Sequence, residues 1–302
     1  VLRHFSMKAI TALAVASMAA NFSASEINLI NSSLLLTPVP FKFSDIIGSI
    51  SLIGPIAAVV AIIFMRAMIY LGTIPKKINI KLWQAPIIAG ICCGLFGLLF
   101  DEVLGIGTDT LMLIITSEQS YQYLLLLLVG KLLLTSICIG FGFFGGTYSP
   151  ALFLGAIVGA LVFQLPFTNL NPDLLAILAV CGMAAVSSSV IGAPITSIIL
   201  VLELTSSYEY AIAATFPIVI CSFITSRLFG NSLFDKQLIS RGIQITKGRE
   251  QILLNEILIE NYVDTNFTKM DINISPTDAI KKLKKDNNTE GYLLSKEGNY
   301  LG

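Results

Sequence analysis

Apolar residues dominate long stretches of the chain, at about 8–22, 45–71, 84–100, 122–143, 151–165, 173–186, 190–205 and 210–229. Runs such as Leu124-Leu125-Leu126-Leu127-Leu128 and Ile198-Ile199-Leu200-Val201-Leu202 have no polar face. An amphipathic helix of a soluble protein keeps one. These runs predict helices solvated by lipid. A perpendicular crossing of the hydrocarbon core takes roughly 20 apolar residues, and several runs are shorter. Short helices interrupted by Gly and Pro are expected where segments end inside a membrane around a binding site.

The pattern changes after about residue 232. Asp271-Ile272-Asn273-Ile274-Ser275 alternates as a strand does. Ser275-Pro276-Thr277-Asp278 reads as a helix start, with Ser at the N-cap and Pro at the first helical position. Gly291–Ser295 predicts a second strand, Lys296–Asn299 a turn and Tyr300-Leu301 the start of a third strand. The polar tail at 251–302 is thus expected to be a small α/β unit attached to a membrane part at 1–240.

Composition strengthens the membrane reading. The 302 residues are 55% hydrophobic and 13% charged, against about a quarter charged in a soluble domain. The formal net charge is zero, so charge argues for no nucleic-acid partner. All five cysteines lie in apolar runs and read as small helix residues. His4 is the single histidine. The spans carry no Ser/His or paired-Asp constellation, so an embedded enzyme is not expected. No cofactor is required by any motif. Val1 stands first, and the chain stops at Tyr300-Leu301-Gly302 in mid-unit, so both ends read as those of a fragment.

Loop charges predict an orientation. Lys76, Lys77 and Lys81 fall in one segment, and Asp101, Glu102, Asp109 and Glu118 in the next. Arg227, Lys236, Arg241, Lys247 and Arg249 follow the last span. Positive charge marks the cytoplasmic side. The 72–83 loop and the tail are therefore expected inside and the acidic 101–121 loop outside.

The chemistry concentrates in Gly145-Gly146-Thr147-Tyr148-Ser149-Pro150. Pro150 suits the first turn of a helix. A Gly-Gly break before a helix start leaves amide N–H groups unpaired at the positive end of the helix dipole, a site for an anion without a full countercharge. The same residues also fit a packing break between two spans.

Gly146-Thr147-Tyr148-Ser149-Pro150 resembles the Gly-x-Phe-x-Pro motif of the CLC chloride channels and chloride/proton antiporters. The segment from Gly182-Met183-Ala184-Ala185 through Gly192-Ala193-Pro194-Ile195-Thr196 to Glu203-Leu204-Thr205 is similar to the family segment that helps form the dimer interface. Glu102–Gly107 is similar to their PEVLGxG segment and reads as a capped loop. The resemblance implies an all-α polytopic fold of inverted repeats, here incomplete. Residues 84–229 would be nearly all of the second repeat and 1–71 the end of the first. It implies chloride as cargo, a homodimer in a lipid bilayer, and chloride contacts at Gly146, Thr147, Tyr148, Ser149 and Pro150. The amides of Thr147 and Tyr148 lead that set. Pro194 and Glu203 take structural or interfacial roles.

The family's central tyrosine falls on Phe234, which lacks the hydroxyl but can offer its ring edge. The GSGIP and GxEGP segments have no counterpart here, and with them goes the gating glutamate. Leu35 falls near the antiporters' internal glutamate position, and Glu26 reads as a loop residue. These departures point away from an antiporter. They leave open a degenerate, non-transporting scaffold or sensor. Residues 251–302 resemble the first part of a CBS domain. Such domains act in pairs, some of which bind adenine nucleotides, and one incomplete unit does not support nucleotide binding.

Overall fold

A computed structural model describes residues 7–26, 40–81, 83–165, 171–230, 232–240, 267–288, 290–295 and 300. The chain divides into two compact units, Val1–Ile243 and Gln244–Gly302. Leu35 and the 296–299 turn lie outside the described residues, as does Leu301.

The first unit is helical. Its elements are α1 (Met7–Glu26), α2 (Phe43–Lys77), α3 (Gln84–Leu99), α4 (Thr108–Thr116), α5 (Tyr121–Gly140), α6 (Tyr148–Phe163), α7 (Leu175–Ile191), α8 (Pro194–Thr205), α9 (Tyr208–Leu228) and α10 (Leu233–Ser240). Among the described residues four segments are long and apolar enough to cross a membrane: Phe43–Pro75, Tyr121–Gly140, Pro172–Ile191 and Tyr208–Ile239. The 14 to 16 residues of the helical stretches at Thr11–Ala24, Gln84–Leu98 and Tyr148–Phe163, and the shorter Pro194–Thr205, fall below that length.

The core lies where α6 and α7 meet. Both are almost wholly buried, with Phe153, Leu154, Ile157, Leu178 and Ala185 fully enclosed. Their backbones touch because Gly155 and Gly159 of α6 face Gly182 of α7. A Cβ on any of the three would overlap the opposite backbone. Lipid tails give no hydrophobic drive between helices, so close backbone approach at small residues is what holds them. The long α2 and α9 pack against each other and against α7, with Ile220 filling the space beside Gly54.

Several sequence boundaries move. Lys76 and Lys77 belong to the end of α2, so the loop after it is shorter than 72–83. Lys77 stacks over the Tyr70 ring at 5.6 Å, and that contact favours a further helical turn. The 101–121 segment is not simply loop: it holds a 3-10 turn at Asp101–Val103 and then α4. Glu26 is the last residue of α1 and not a loop residue. The apolar stretch at about 173–186 continues as helix to Ile191, and the break before the next stretch falls at Gly192. Ser187 and Ser188 return their hydroxyls to the carbonyls of Ala184 and Ala185, which lets α7 run on. Gly192 then ends it at φ 79°, a left-handed C-cap.

The second unit contains β1 (Thr268–Asp271), α11 (Pro276–Asp286) and β2 (Gly291–Leu294). The two strands pair in parallel, Thr268 opposite Gly291 and Asp271 opposite Leu294. The first strand lies about a turn earlier than its alternation suggested. Asp271 ends it by accepting the Asn273 amide at 3.0 Å. Ser275 caps α11 through the Asp278 amide at 3.2 Å, with Pro276 in its first turn, as the sequence predicts. Tyr300 forms an antiparallel bridge to Leu294.

Candidate functional site

The helix tip singled out by the sequence is formed as expected. α5 ends at Gly140, and Gly142 turns the chain at φ 101°. Phe143 to Gly146 run without regular structure, and α6 starts at Tyr148 with Thr147 as N-cap. The first amide of this turn to bond a backbone carbonyl is that of Ala151, at 3.3 Å from the Thr147 oxygen. The amides of Gly146, Thr147, Tyr148 and Ser149 make no hydrogen bond among the described residues. The Thr147 hydroxyl is also buried without a partner. Unpaired donors cluster at the positive end of the dipole.

A cavity of about 420 Å³ lies beside this tip. Gly145, Gly146, Ser149 and Pro150 line it together with Val103, Gly105 and Lys131. A Cβ at Gly146 would meet nothing within 4 Å, so the backbone there borders open space. Thr147 and Tyr148 do not line it. Tyr148 is half-buried and its hydroxyl meets the Ser187 side chain. Phe234, near the start of α10, is half-buried and does not line the cavity either. Among the candidate contacts, the structure brings Gly146, Ser149 and Pro150 to one cavity and leaves Thr147, Tyr148 and Phe234 off it.

Lys131 is the residue that the sequence reading passed over. It sits inside the apolar run of α5 and is 1% exposed. Its ammonium donates to the carbonyls of Val103 at 2.9 Å and Gly105 at 2.8 Å. It also lies 4.8 Å from the centre of the Phe153 ring. Gly107 leaves room for it: an added Cβ there would stand 3.0 Å from Phe153 and 3.5 Å from the Lys131 nitrogen. A charge this deep costs several kcal/mol unless it is compensated. The signal was available, since a lysine within an apolar span is by default a functional candidate. A cation therefore lines the cavity beside the helix tip. Glu102–Gly107 does more than cap a loop, because its carbonyls hold that cation.

Pro194 opens α8 and is exposed. Ile195, Ile199 and Glu203 follow at helical spacing on one exposed stripe of α8. A second, smaller cavity of about 200 Å³ lies among Ser188, Ser189, Pro194, Ser222, Thr225 and Asp235. Its Asp235 and Ser232 are occupied in capping the start of α10. The five cysteines are free, Cys181 and Cys221 buried and Cys92, Cys93 and Cys138 partly so.

Broken helices, long apolar spans and a helix tip opening on a cavity define a polytopic helical membrane protein. The family model described as voltage gated chloride channel matches residues 1–227, and the chain belongs to this CLC family. It is 28% identical over 264 residues to the H(+)/Cl(-) exchange transporter ClcA of Vibrio cholerae, covering 82% of this chain and 54% of that protein. It is 34% identical over 177 residues to the ClcA of Vibrio vulnificus, covering 55% of this chain and 37% of that one. The chain thus spans about half the length of the curated relatives it matches. Its fold resembles a CLC-type fluoride/proton antiporter with a TM-score of 0.63 at 23% identity, over 75% of this chain and 56% of that one. It also resembles a slow cyanobacterial Cl-/H+ antiporter with a TM-score of 0.57 at 24% identity, over 69% of this chain and 50% of that one.

Proposed function

We propose that this protein moves chloride across a lipid bilayer, as a channel or in exchange for protons. One observation carries the reading: the tip of α6 presents unbonded main-chain amides beside an open cavity. Oriented amides bind a halide through fixed dipoles and need no covalent chemistry. Relatives that are exchange transporters support the same reading. Gly146 and Ser149 would contact the ion from the cavity side, and Thr147 and Tyr148 would offer their amides from the first turn. Pro150 would fix the turn, and Phe234 would present a ring edge at a separate point.

The protein works as a homodimer in this proposal, with the Ile195, Ile199 and Glu203 stripe of α8 at the contact. The tail unit is a CBS-like module on the cytoplasmic side. The parallel pairing of β1 and β2 around α11 supports a small α/β unit of that kind.

The test is chloride efflux from liposomes carrying the protein expressed from its complete reading frame. Efflux well above that of empty liposomes is expected. Efflux no faster than from empty liposomes overturns the proposal. A simultaneous pH trace separates the two modes: proton movement against chloride means exchange, and a flat trace means a channel.

A further inference from the structure

We propose that Cys93 and Cys138 form a redox-active dithiol, which a peroxide converts to a disulfide joining α3 to α5. The inference does not depend on the transport reading.

Cys93 lies on α3 and Cys138 in the last turn of α5. The two helices pack on each other. The side chains of the two cysteines meet in a hydrogen bond. Both also line the cavity of about 420 Å³. Both are free and only partly buried, whereas Cys181 and Cys221 are buried. Cys221 is engaged besides, since it accepts the Ser189 hydroxyl at 3.0 Å. Cys92 precedes Cys93 on α3 and does not line the cavity. A small neutral oxidant entering the cavity therefore meets the 93–138 pair first. Thiols kept only for their small size have no need to face each other across a helix contact beside open space.

A disulfide sets its sulfurs about 2.05 Å apart. From hydrogen-bond contact the pair has to close by roughly 1–2 Å. Side-chain rotation and a small shift of α3 supply that. α3 packs on α5 and on the Asp101–Val103 turn, while Ile87, Ile91, Leu95 and Leu98 form an exposed stripe along it.

Lys131 lines the same cavity and interacts electrostatically with Cys93. A cation thus stands near a sulfur that carries negative charge when it attacks. With hydrogen peroxide as oxidant the steps balance. The Cys93 sulfur attacks one peroxide oxygen. The S–O bond forms, the O–O bond breaks, and the departing hydroxide takes the thiol proton as water. The Cys138 sulfur then attacks the sulfenic Cys93. The S–S bond forms, the S–O bond breaks, and hydroxide leaves with the second thiol proton as water. Two electrons pass from the sulfurs to the peroxide, and a dithiol reductant returns them. Because Cys138 already touches Cys93, it resolves the sulfenic acid ahead of further oxidation.

Peptide mapping tests this on the protein in liposomes, treated with hydrogen peroxide and alkylated before unfolding. Peptides linked through Cys93 and Cys138 are expected, with the link lost after dithiothreitol. Cys92→Ser is expected to keep the link and Cys93→Ser to lose it. No link in the natural protein, under treatment that oxidises its methionines, overturns the proposal. So does a link that survives in Cys93→Ser, which would place the bridge at Cys92. If Cys93→Ser does not fold, fragment spectra of the linked peptides from the natural protein decide. A bridge at Cys93 supports the proposal, and one at Cys92 overturns it.

Discussion

Gly146 is the residue at which absence of a side chain matters most. Its backbone borders the cavity with no atom near where a Cβ would stand. A larger residue there meets no clash and simply takes up space that an ion would use. Gly146→Leu is therefore expected to leave the melting temperature unchanged while chloride efflux falls about tenfold, because a pore narrowed by a few ångströms excludes a solvated halide. Efflux equal to that of the natural protein would place the ion path away from this cavity. Gly107 presents the contrasting case. It has φ 72° and touches Phe153 through the space a Cβ would need. A substitution there strains the backbone and disturbs the ring behind Lys131, so function and folding would be lost together. The pair separates a glycine kept for an ion from a glycine kept for the chain.

At the scale of elements, the α6–α7 contact carries the fold. Gly182 lies directly against the backbone of Gly155 and near the Gly159 amide. Neither partner is a flexible side chain that can swing away. Gly182→Ala must push two buried helices apart and is expected to destabilise the protein by about 3 kcal/mol or more. A thermal shift in detergent reads this, and a melting temperature within a degree of the natural protein's would refute it. This contact also shows what the sequence could reveal. Most of the apolar helices were legible because their runs are continuous and the Gly-Gly-x-x-x-Pro break stands out, whereas α4 was read as part of a loop. The pairing of Gly155 and Gly159 with Gly182 was not, since it needs two helices brought together from different parts of the chain. Lys131 stood out as a charge within an apolar run, but what holds it was hidden for the same reason. Its partners, Val103 and Gly105, lie 28 and 26 residues away in sequence and are held only through backbone carbonyls, which carry no residue signature. The apolar run is interrupted at Ser187-Ser188-Ser189, yet α7 runs on, because Ser187 and Ser188 bond back to its carbonyls and Ser189 donates to the Cys221 sulfur.

At the scale of the whole membrane unit, charge and helix length together argue for one orientation. α2 has 35 residues, roughly 52 Å of helix, which exceeds the hydrocarbon thickness of about 30 Å. Such a helix tilts or projects, and its lysine-bearing end with Lys77 then reaches the aqueous side, near Lys81. α3 has 16 residues, roughly 24 Å, and links that side to Asp101 and Glu102. It is short for a perpendicular span, so the 3-10 turn and α4 that follow it must lie close under the opposite interface. Lysines at one end and carboxylates at the other favour the lysine end inside the cell. The cavity at the α6 tip shares its lining with Val103 and Gly105, so this orientation would put it in the half facing outward. Single cysteines put at Lys81 and Gln119, in a protein whose own five cysteines are replaced by Ala, test this with a membrane-impermeant maleimide on intact cells. Gln119→Cys is expected to label at once, and Lys81→Cys only after the membrane is opened. The reverse pattern would invert the protein and turn the Lys131 cavity toward the cytoplasm, where it would receive anions leaving the cell and not those entering it.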